Sequence, residues 1–333
     1  MKTKFYIVVL ALFLVMTSFV KGEIRIGIIG LDTSHALEFT KLLNGDENTA
    51  YQDFRIVAAY PYGSTTIKTS YERIPKYTEG VKACGVEIVP SIAELLKKVD
   101  CVMLETNDGN LHLEQALEVF KSGKTMFIDK PVAATLAHAI AIFQLAEKYK
   151  IPIFSSSALR FSAQTQKLGK GELGKIIGAD CYSPHKREAT HPDFGWYGMH
   201  GVEMLFTVMG TGCVSVSRMS SEGADVVTGL WNDGRIGTFR GIINNYIYGG
   251  TAYTGKGAVP VGGYDGYQPL LDQIINFFRS GVAPVSAKET LEIFTFMEAS
   301  NISKNHDGKI VSMDETYEKA QKEAQKIIKK LKE

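Results

Sequence analysis

Short apolar runs separated by helical periods dominate the chain from Glu23 to about Phe154. The runs are Ile24 to Ile29, Phe54 to Tyr60, Glu87 to Val89, Cys101 to Glu105, Thr125 to Ile128 and Ile151 to Phe154. Unbroken apolarity over so few residues suits strands of a parallel sheet covered on both faces. Between them the apolar positions recur at helical spacing. Ser91-Ile92-Ala93-Glu94 is a capping box ahead of Leu95 and Leu96, and Leu136, Ala139, Ile140, Phe143 and Ala146 line one helix face. Strands alternating with helices predict an α/β protein that begins with a doubly wound, Rossmann-type parallel sheet.

Beyond Gly174 the strands come closer together. Lys175 to Ser183, Val214 to Ser220, Asp225 to Trp231, Arg235 to Ile243 and Tyr246 to Thr254 predict an open, mostly antiparallel sheet, with Asn232-Asp233-Gly234 as a hairpin turn. One helix follows from Pro269 to Ser280, stopped by Gly281, and another opens at Ser286 with Glu289 three residues on. Gly249 to Gly266 reads as irregular loop. The predicted division is a Rossmann domain over 23–154, an α+β domain for substrate and oligomerisation over 155–313, and a lysine-rich tail over 314–333. The tail reads as a solvated helix in which Glu318 and Lys322 can pair.

The start of the chain has a different character. Lys2 and Lys4 precede an apolar run from Phe5 to Val20, shorter than the roughly 20 residues of a spanning helix, and a modest cleavage site follows at Val20-Lys21-Gly22. Residues 1–22 are therefore expected to be a secretory signal peptide and the protein to be exported, most simply to a periplasm. Neither a cysteine near the cleavage site nor paired arginines in the leader point to a lipid anchor or to twin-arginine export. Any cofactor would then be met outside the cytoplasm.

Composition adds bounds. The chain has 333 residues, 45% hydrophobic and 22% charged, with a formal net charge of +1. That is an ordinary globular balance large enough for two domains, and it suggests neither nucleic acid nor a membrane surface as partner. Cys84, Cys101, Cys181 and Cys213 stand far apart with no zinc spacing, and read as buried thiols with one disulfide possible in an oxidising compartment.

Candidate chemistry begins at Gly123-Lys124-Thr125-Met126-Phe127-Ile128-Asp129-Lys130-Pro131, an apolar strand ending in an acid, a lysine and a proline. This resembles the E-K-P signature of the Gfo/Idh/MocA oxidoreductases, and the order of the two domains resembles that family's architecture from Glu23 to Met313. The resemblance implies an active-site lysine at Lys130 beside nicotinamide and substrate, following Asp129, with a Lys-Pro bond that is often cis. It also implies a general acid/base at His200, within Trp196-Tyr197-Gly198-Met199-His200-Gly201-Val202-Glu203. Glu203 lies one helical turn later and can orient that ring. Trp196 stands where the family usually has an aspartate, and could stack on a sugar face. A homo-oligomer formed through the second sheet is a further implication.

The implied cofactor is NAD or NADP. Gly27 and Gly30 keep the Rossmann turn Gly27-Ile28-Ile29-Gly30-Leu31-Asp32-Thr33-Ser34-His35, but Asp32 replaces its second glycine. A carboxylate there would take the free amides at the helix start and repel a phosphate. Thr33, Ser34, Thr106, Asn107, Asp129 and Lys130 complete the expected cofactor contacts. The second strand ends in Ala58-Ala59-Tyr60-Pro61-Tyr62-Gly63-Ser64 without the acid that binds an NAD ribose, and Gly63-Ser64-Thr65-Thr66 with Lys68 could instead hold an NADP phosphate.

Other polar residues gather at predicted strand ends. Glu105, Thr106, Asn107, Asp108 and His112, with His185, His191 and Asp193, are expected to face one cavity, the last three with Trp196 against substrate. Imidazoles and carboxylates together could hold a divalent metal, Asp32 and His35 joining them, but no metal spacing is present and no ligand is assigned. Three readings stand: an NAD(P)-dependent oxidoreductase acting on a sugar or polyol, a cofactor-free or metal-assisted carbohydrate lyase or hydrolase, and a non-catalytic sugar-binding protein. Tyr246, Tyr248, Tyr253, Tyr264 and Tyr267 suit sugar rings or a subunit contact.

Overall fold

A computed structural model describes residues 22–45 and 50–331. The leader predicted over 1–22 lies outside them apart from Gly22, and among the described residues no helix is long and apolar enough to cross a membrane.

The first layer system follows the alternation in the sequence. Its elements are β1 (Ile24–Ile29), α1 (Ser34–Asn44), β2 (Phe54–Tyr60), α2 (Lys68–Tyr71), α3 (Ile74–Ala83), β3 (Glu87–Ile88), α4 (Ile92–Leu96), β4 (Cys101–Leu104), α5 (His112–Lys121), β5 (Thr125–Asp129), α6 (Leu136–Tyr149) and β6 (Ile153–Ser156). The six strands are parallel in the order β3-β2-β1-β4-β5-β6. Every residue of β4 and β6 is buried, which explains why Cys101–Leu104 reads as an unbroken apolar run. The order reverses direction between β1 and β4, the crevice where open α/β sheets bind ligands.

The chain leaves β6 through a 3₁₀ turn (Ala158–Phe161) and α7 (Ala163–Gly169). The second sheet is built from β7 (Ile176–Pro184), β8 (Cys213–Ser220), β9 (Ala224–Trp231), β10 (Ile236–Ile242), β11 (Gly249–Thr254), β12 (Gly257–Val261) and β13 (Val311–Ser312). Its order is β12-β11-β7-β10-β9-β8-β13, antiparallel except where β10 runs parallel to β7. One face carries α8 (Met199–Met209), whose Phe206 packs on Trp231 with ring centroids 5.5 Å apart.

Three expectations change. Gly249 to Gly266 is not simply loop, because β12 pairs with β11 from Gly257 to Val261; Gly-Ala-Val-Pro-Val carries no apolar alternation because four of its five residues are not buried. Helix α9 (Gln268–Ser280), though late in the chain, returns to the first sheet and buries Leu270, Leu271, Ile274 and Phe277 with Ile26, Phe39 and Phe154. After α10 (Ala287–Lys304), α11 (Met313–Lys330) lies against α6 and buries Thr316, Ala320 and Ala324, so the tail is a docked helix with one solvated face. The four cysteines are free thiols, Cys84 half-buried and the others buried.

Candidate active site

A cavity of about 270 Å³ opens where the first sheet's reversal point meets the second domain. Its first-domain wall is the start of α1 (Thr33, Ser34, His35), Asn107 beyond β4, Lys130 at the end of β5 and Ser157 at the end of β6. The opposite wall is Trp196, Tyr197, His200, Tyr248, Tyr264 and Tyr267, with Arg73 and Lys186 exposed at its margin. Lys130 and His200 therefore border one space, as the D-K-P segment and the helix motif suggested, and the Lys130–Pro131 bond is cis. No ion pair among the described residues holds the Lys130 ammonium.

His200 sits in the first turn of α8, open to the cavity on one side. Burial, with the positive charge of Lys130 added to it, holds its imidazole well below the usual histidine range, so the ring is neutral at neutral pH. Its Nδ1 is 2.7 Å from Ser157 Oγ, which also accepts the Leu159 amide at 3.2 Å. The other ring nitrogen is left for the cavity. Tyr248, whose phenol burial pushes up to about 12, offers a neutral hydroxyl beside it, and Tyr267 lines the same space.

Glu203 does not orient His200 as expected. Its carboxylate instead accepts from Ser156 Oγ, from the Ser157 amide at 2.9 Å and from Arg160 Nε at 2.7 Å, while Arg160 reaches Glu289 at 2.7 Å. Glu203 thus pins the turn that carries Ser157, and Ser157 holds the ring. Ser157→Ala should lower turnover roughly five- to tenfold, the equivalent of one hydrogen bond of about 1 kcal/mol. Steady-state kinetics beside a thermal melt check this: a lower melting point with unchanged kcat would leave Ser157 a support of the turn alone.

The Rossmann turn also differs from expectation. Asp32 does not cap α1; Thr33 does, its Oγ1 accepting the His35 amide at 3.0 Å. The Asp32 side chain turns inward, fully buried, where Oδ1 accepts the Asn107 amide at 3.0 Å and Oδ2 the Ser64 amide at 3.2 Å. It therefore clasps the loops after β2 and β4 together. Gly63 lies so close that any side chain there would strike the carboxylate. Burial pushes this carboxyl up to about 6 despite the amides it accepts. Gly30 is required by its left-handed backbone (φ +90°) and by Thr106, whose amide a Cβ would meet at 2.5 Å. Gly27 faces Leu95 in the core and not a ligand. Thr106 is buried, its carbonyl 2.6 Å from His112 Nε2.

The cavity offers a place to one end of a dinucleotide. The first turn of α1 borders the cavity, as a diphosphate requires. At the adenosine end Ser64 is buried with its hydroxyl on Asp108 at 2.9 Å, and no residue from Tyr60 to Thr66 lines this cavity. The Ser64 hydroxyl is therefore engaged within the protein, while Thr65, Thr66 and Lys68 are exposed.

The expected substrate residues separate. Trp196 lines the cavity, and His191 packs behind it with ring centroids 5.2 Å apart, its Nε2 accepting the Gly109 amide at 3.1 Å. His185 and Asp193 lie elsewhere. His185 is buried against Asp225 (2.7 Å), and Asp193 pairs with Arg218 and Lys304 at 2.7 Å each. They hold the loop before α8 onto the second sheet. Conversely, Ser157 and the contact of His35 Nδ1 with Asp129 Oδ2 at 2.9 Å were not foreseen. The polar run Ser155-Ser156-Ser157 ending an apolar strand was the available signal for the first.

Residues 24–156 match the family described as the Gfo/Idh/MocA oxidoreductase family, NAD-binding Rossmann fold. No curated protein matches the chain. Among solved structures, a probable dehydrogenase from Thermotoga maritima superposes with a TM-score of 0.70 at 19% identity, covering 88% of this chain and 100% of that one. Scyllo-inositol dehydrogenase from Lactobacillus casei, solved with NAD(H) and scyllo-inositol, gives 0.70 at 14% identity over 88% and 99%. Myo-inositol dehydrogenase from the same organism, in complex with NAD(H) and myo-inositol, gives 0.68 at 14% over 87% and 96%. At these identities the likeness is one of fold.

Proposed function

We propose, from the premise that the Rossmann domain of this chain belongs to the Gfo/Idh/MocA oxidoreductase family, that the protein is an NAD(P)-dependent oxidoreductase acting on a sugar or polyol. The observation that carries this reading is the meeting of Lys130, neutral His200 and four tyrosines around one small cavity at the sheet's reversal point. A hydroxyl group held there lies between an ammonium and an imidazole able to take its proton, and the tyrosines combine apolar ring faces with hydroxyls that suit a polyhydroxylated ring. The similarity of the fold to inositol dehydrogenases supports the substrate class.

The engagement of Asp32 and Ser64 within the protein favours a second reading, in which the same lysine and histidine perform proton abstraction, elimination or hydrolysis on a carbohydrate without a dinucleotide. One assay separates the two. The mature protein is incubated with a panel of cyclic polyols, aldoses and glycosides, with NAD⁺, with NADP⁺ and with neither. The first reading expects reduced nicotinamide to accumulate with a polyol or sugar; substrate consumed equally well without dinucleotide would replace it with the second.

Two further properties belong to the proposal. Export rests on the leader's pattern of charge and apolarity. Self-association rests on the outer face of the second sheet, where Ile177, Met219, Leu230, Ile236 and Tyr253 are exposed across five neighbouring strands.

A further inference from the structure

Behind the cavity wall, three side chains from different strand ends converge. His35 follows the turn after β1, Glu105 follows β4 and Asp129 ends β5, so the sheet order β1-β4-β5 brings them together. One donor atom from each, all buried, lies within 4.8 Å of the others. Glu105 is 0% exposed and neither of its oxygens has a hydrogen-bond partner. Asp129 is equally buried, with Oδ2 2.9 Å from His35 Nδ1.

His35 and the charge of Lys130 offset Asp129, but Glu105 beside it has no partner, and an unpaired buried charge costs several kcal/mol unless something neutralises it. We propose that His35, Glu105 and Asp129 form a binding site for one divalent cation of intermediate hardness, Zn²⁺ or Mn²⁺. One imidazole nitrogen with two carboxylate oxygens is a donor set for these ions, since imidazole suits transition metals and carboxylate suits Mn²⁺ and Zn²⁺ alike. Donors about 2.1 Å from a common ion stand roughly 3–3.5 Å apart, which the His35–Asp129 contact nearly meets already. Glu105, with no hydrogen bond to break, is free to close the remaining distance. The site is next to the cavity because His35 belongs to both, and Lys130 follows Asp129 directly. A cation there fixes His35 and the strand end that carries Lys130. The proposal does not rest on the redox reading, since a cation could serve either chemistry.

The test uses the mature protein dialysed against Zn²⁺ or Mn²⁺ and then against metal-free buffer, with elemental analysis and a thermal melt. The expected result is about one ion per chain and a melting temperature raised by the ion and lowered by chelator. Glu105→Gln and His35→Asn should each lose the ion, whereas Lys130→Ala should keep it. Sub-stoichiometric metal with no shift in melting temperature for either cation would overturn the proposal, leaving a proton shared by Glu105 and Asp129 as the neutralising element. Full occupancy in both ligand variants would overturn it equally, by placing the ion elsewhere.

Discussion

Lys130→Ala should reduce turnover of a sugar or polyol by roughly 10²–10⁴-fold, the range lost when a positioned acid or base is removed. The fold should survive, because no ion pair among the described residues depends on the ammonium. A modest loss of stability is expected all the same, since the lysine's charge helps keep buried Asp129 ionised. Lys130→Arg separates the two effects. Arginine restores the charge beside Asp129 but remains protonated at any working pH and cannot exchange a proton with a hydroxyl. The arginine variant should therefore melt near the wild type while remaining as inactive as the alanine variant. Turnover within a few-fold of wild type in Lys130→Ala would remove the lysine from the chemistry.

The partner of Lys130 across the cavity gives this expectation its direction. Burial and the adjacent positive charge keep His200 neutral, so under the proposed chemistry it can relay a proton with Lys130, with Ser157 fixing its ring. Glu203 belongs to the same assembly at one remove, through the turn it shares with Arg160. What reads in the sequence as a histidine and its orienting acid one helical turn apart is, in three dimensions, a chain of contacts from Arg160 to Glu203 to Ser157 to His200.

Legibility divided along physical lines. Strands with long buried stretches announce themselves, so β1 and β2 appear where the apolar runs place them, and the capping serines Ser91 and Ser286 hold their helices' third amides as expected. Edge strand β12 does not announce itself, because half-solvated residues carry no apolar rhythm. The site shows the same contrast. Lys130 and His200 are each marked by local motifs. The meeting of His35, Glu105 and Asp129 depends on strand order, which no local spacing encodes. His185 and Asp193 misled for the converse reason: their charge partners, Asp225, Arg218 and Lys304, come from strands and a helix remote in sequence.

Asp32→Gly should weaken the fold and strengthen dinucleotide binding at once. The buried carboxylate is the acceptor for the Asn107 and Ser64 amides, and losing it strands two donors, at about 1–3 kcal/mol each where water cannot reach them. The same loss releases the loop after β2, which Asp32 holds through the Ser64 amide, so NAD⁺ or NADP⁺ titrated by calorimetry should bind tighter than to the wild type. The pH dependence gives an independent sign. With a folded value of about 6 against the ordinary 3.8, the native state holds the Asp32 proton more tightly than the unfolded chain does. Stability from this group is therefore present below pH 3.8 and is lost as pH rises through about 6, a decline of about 3 kcal/mol at most. In the glycine variant that decline should vanish from denaturant melts taken across the window. A weaker fold with unchanged dinucleotide affinity would mean that the β2 loop excludes the cofactor by its own shape, and would move the balance to chemistry performed by Lys130 and His200 alone.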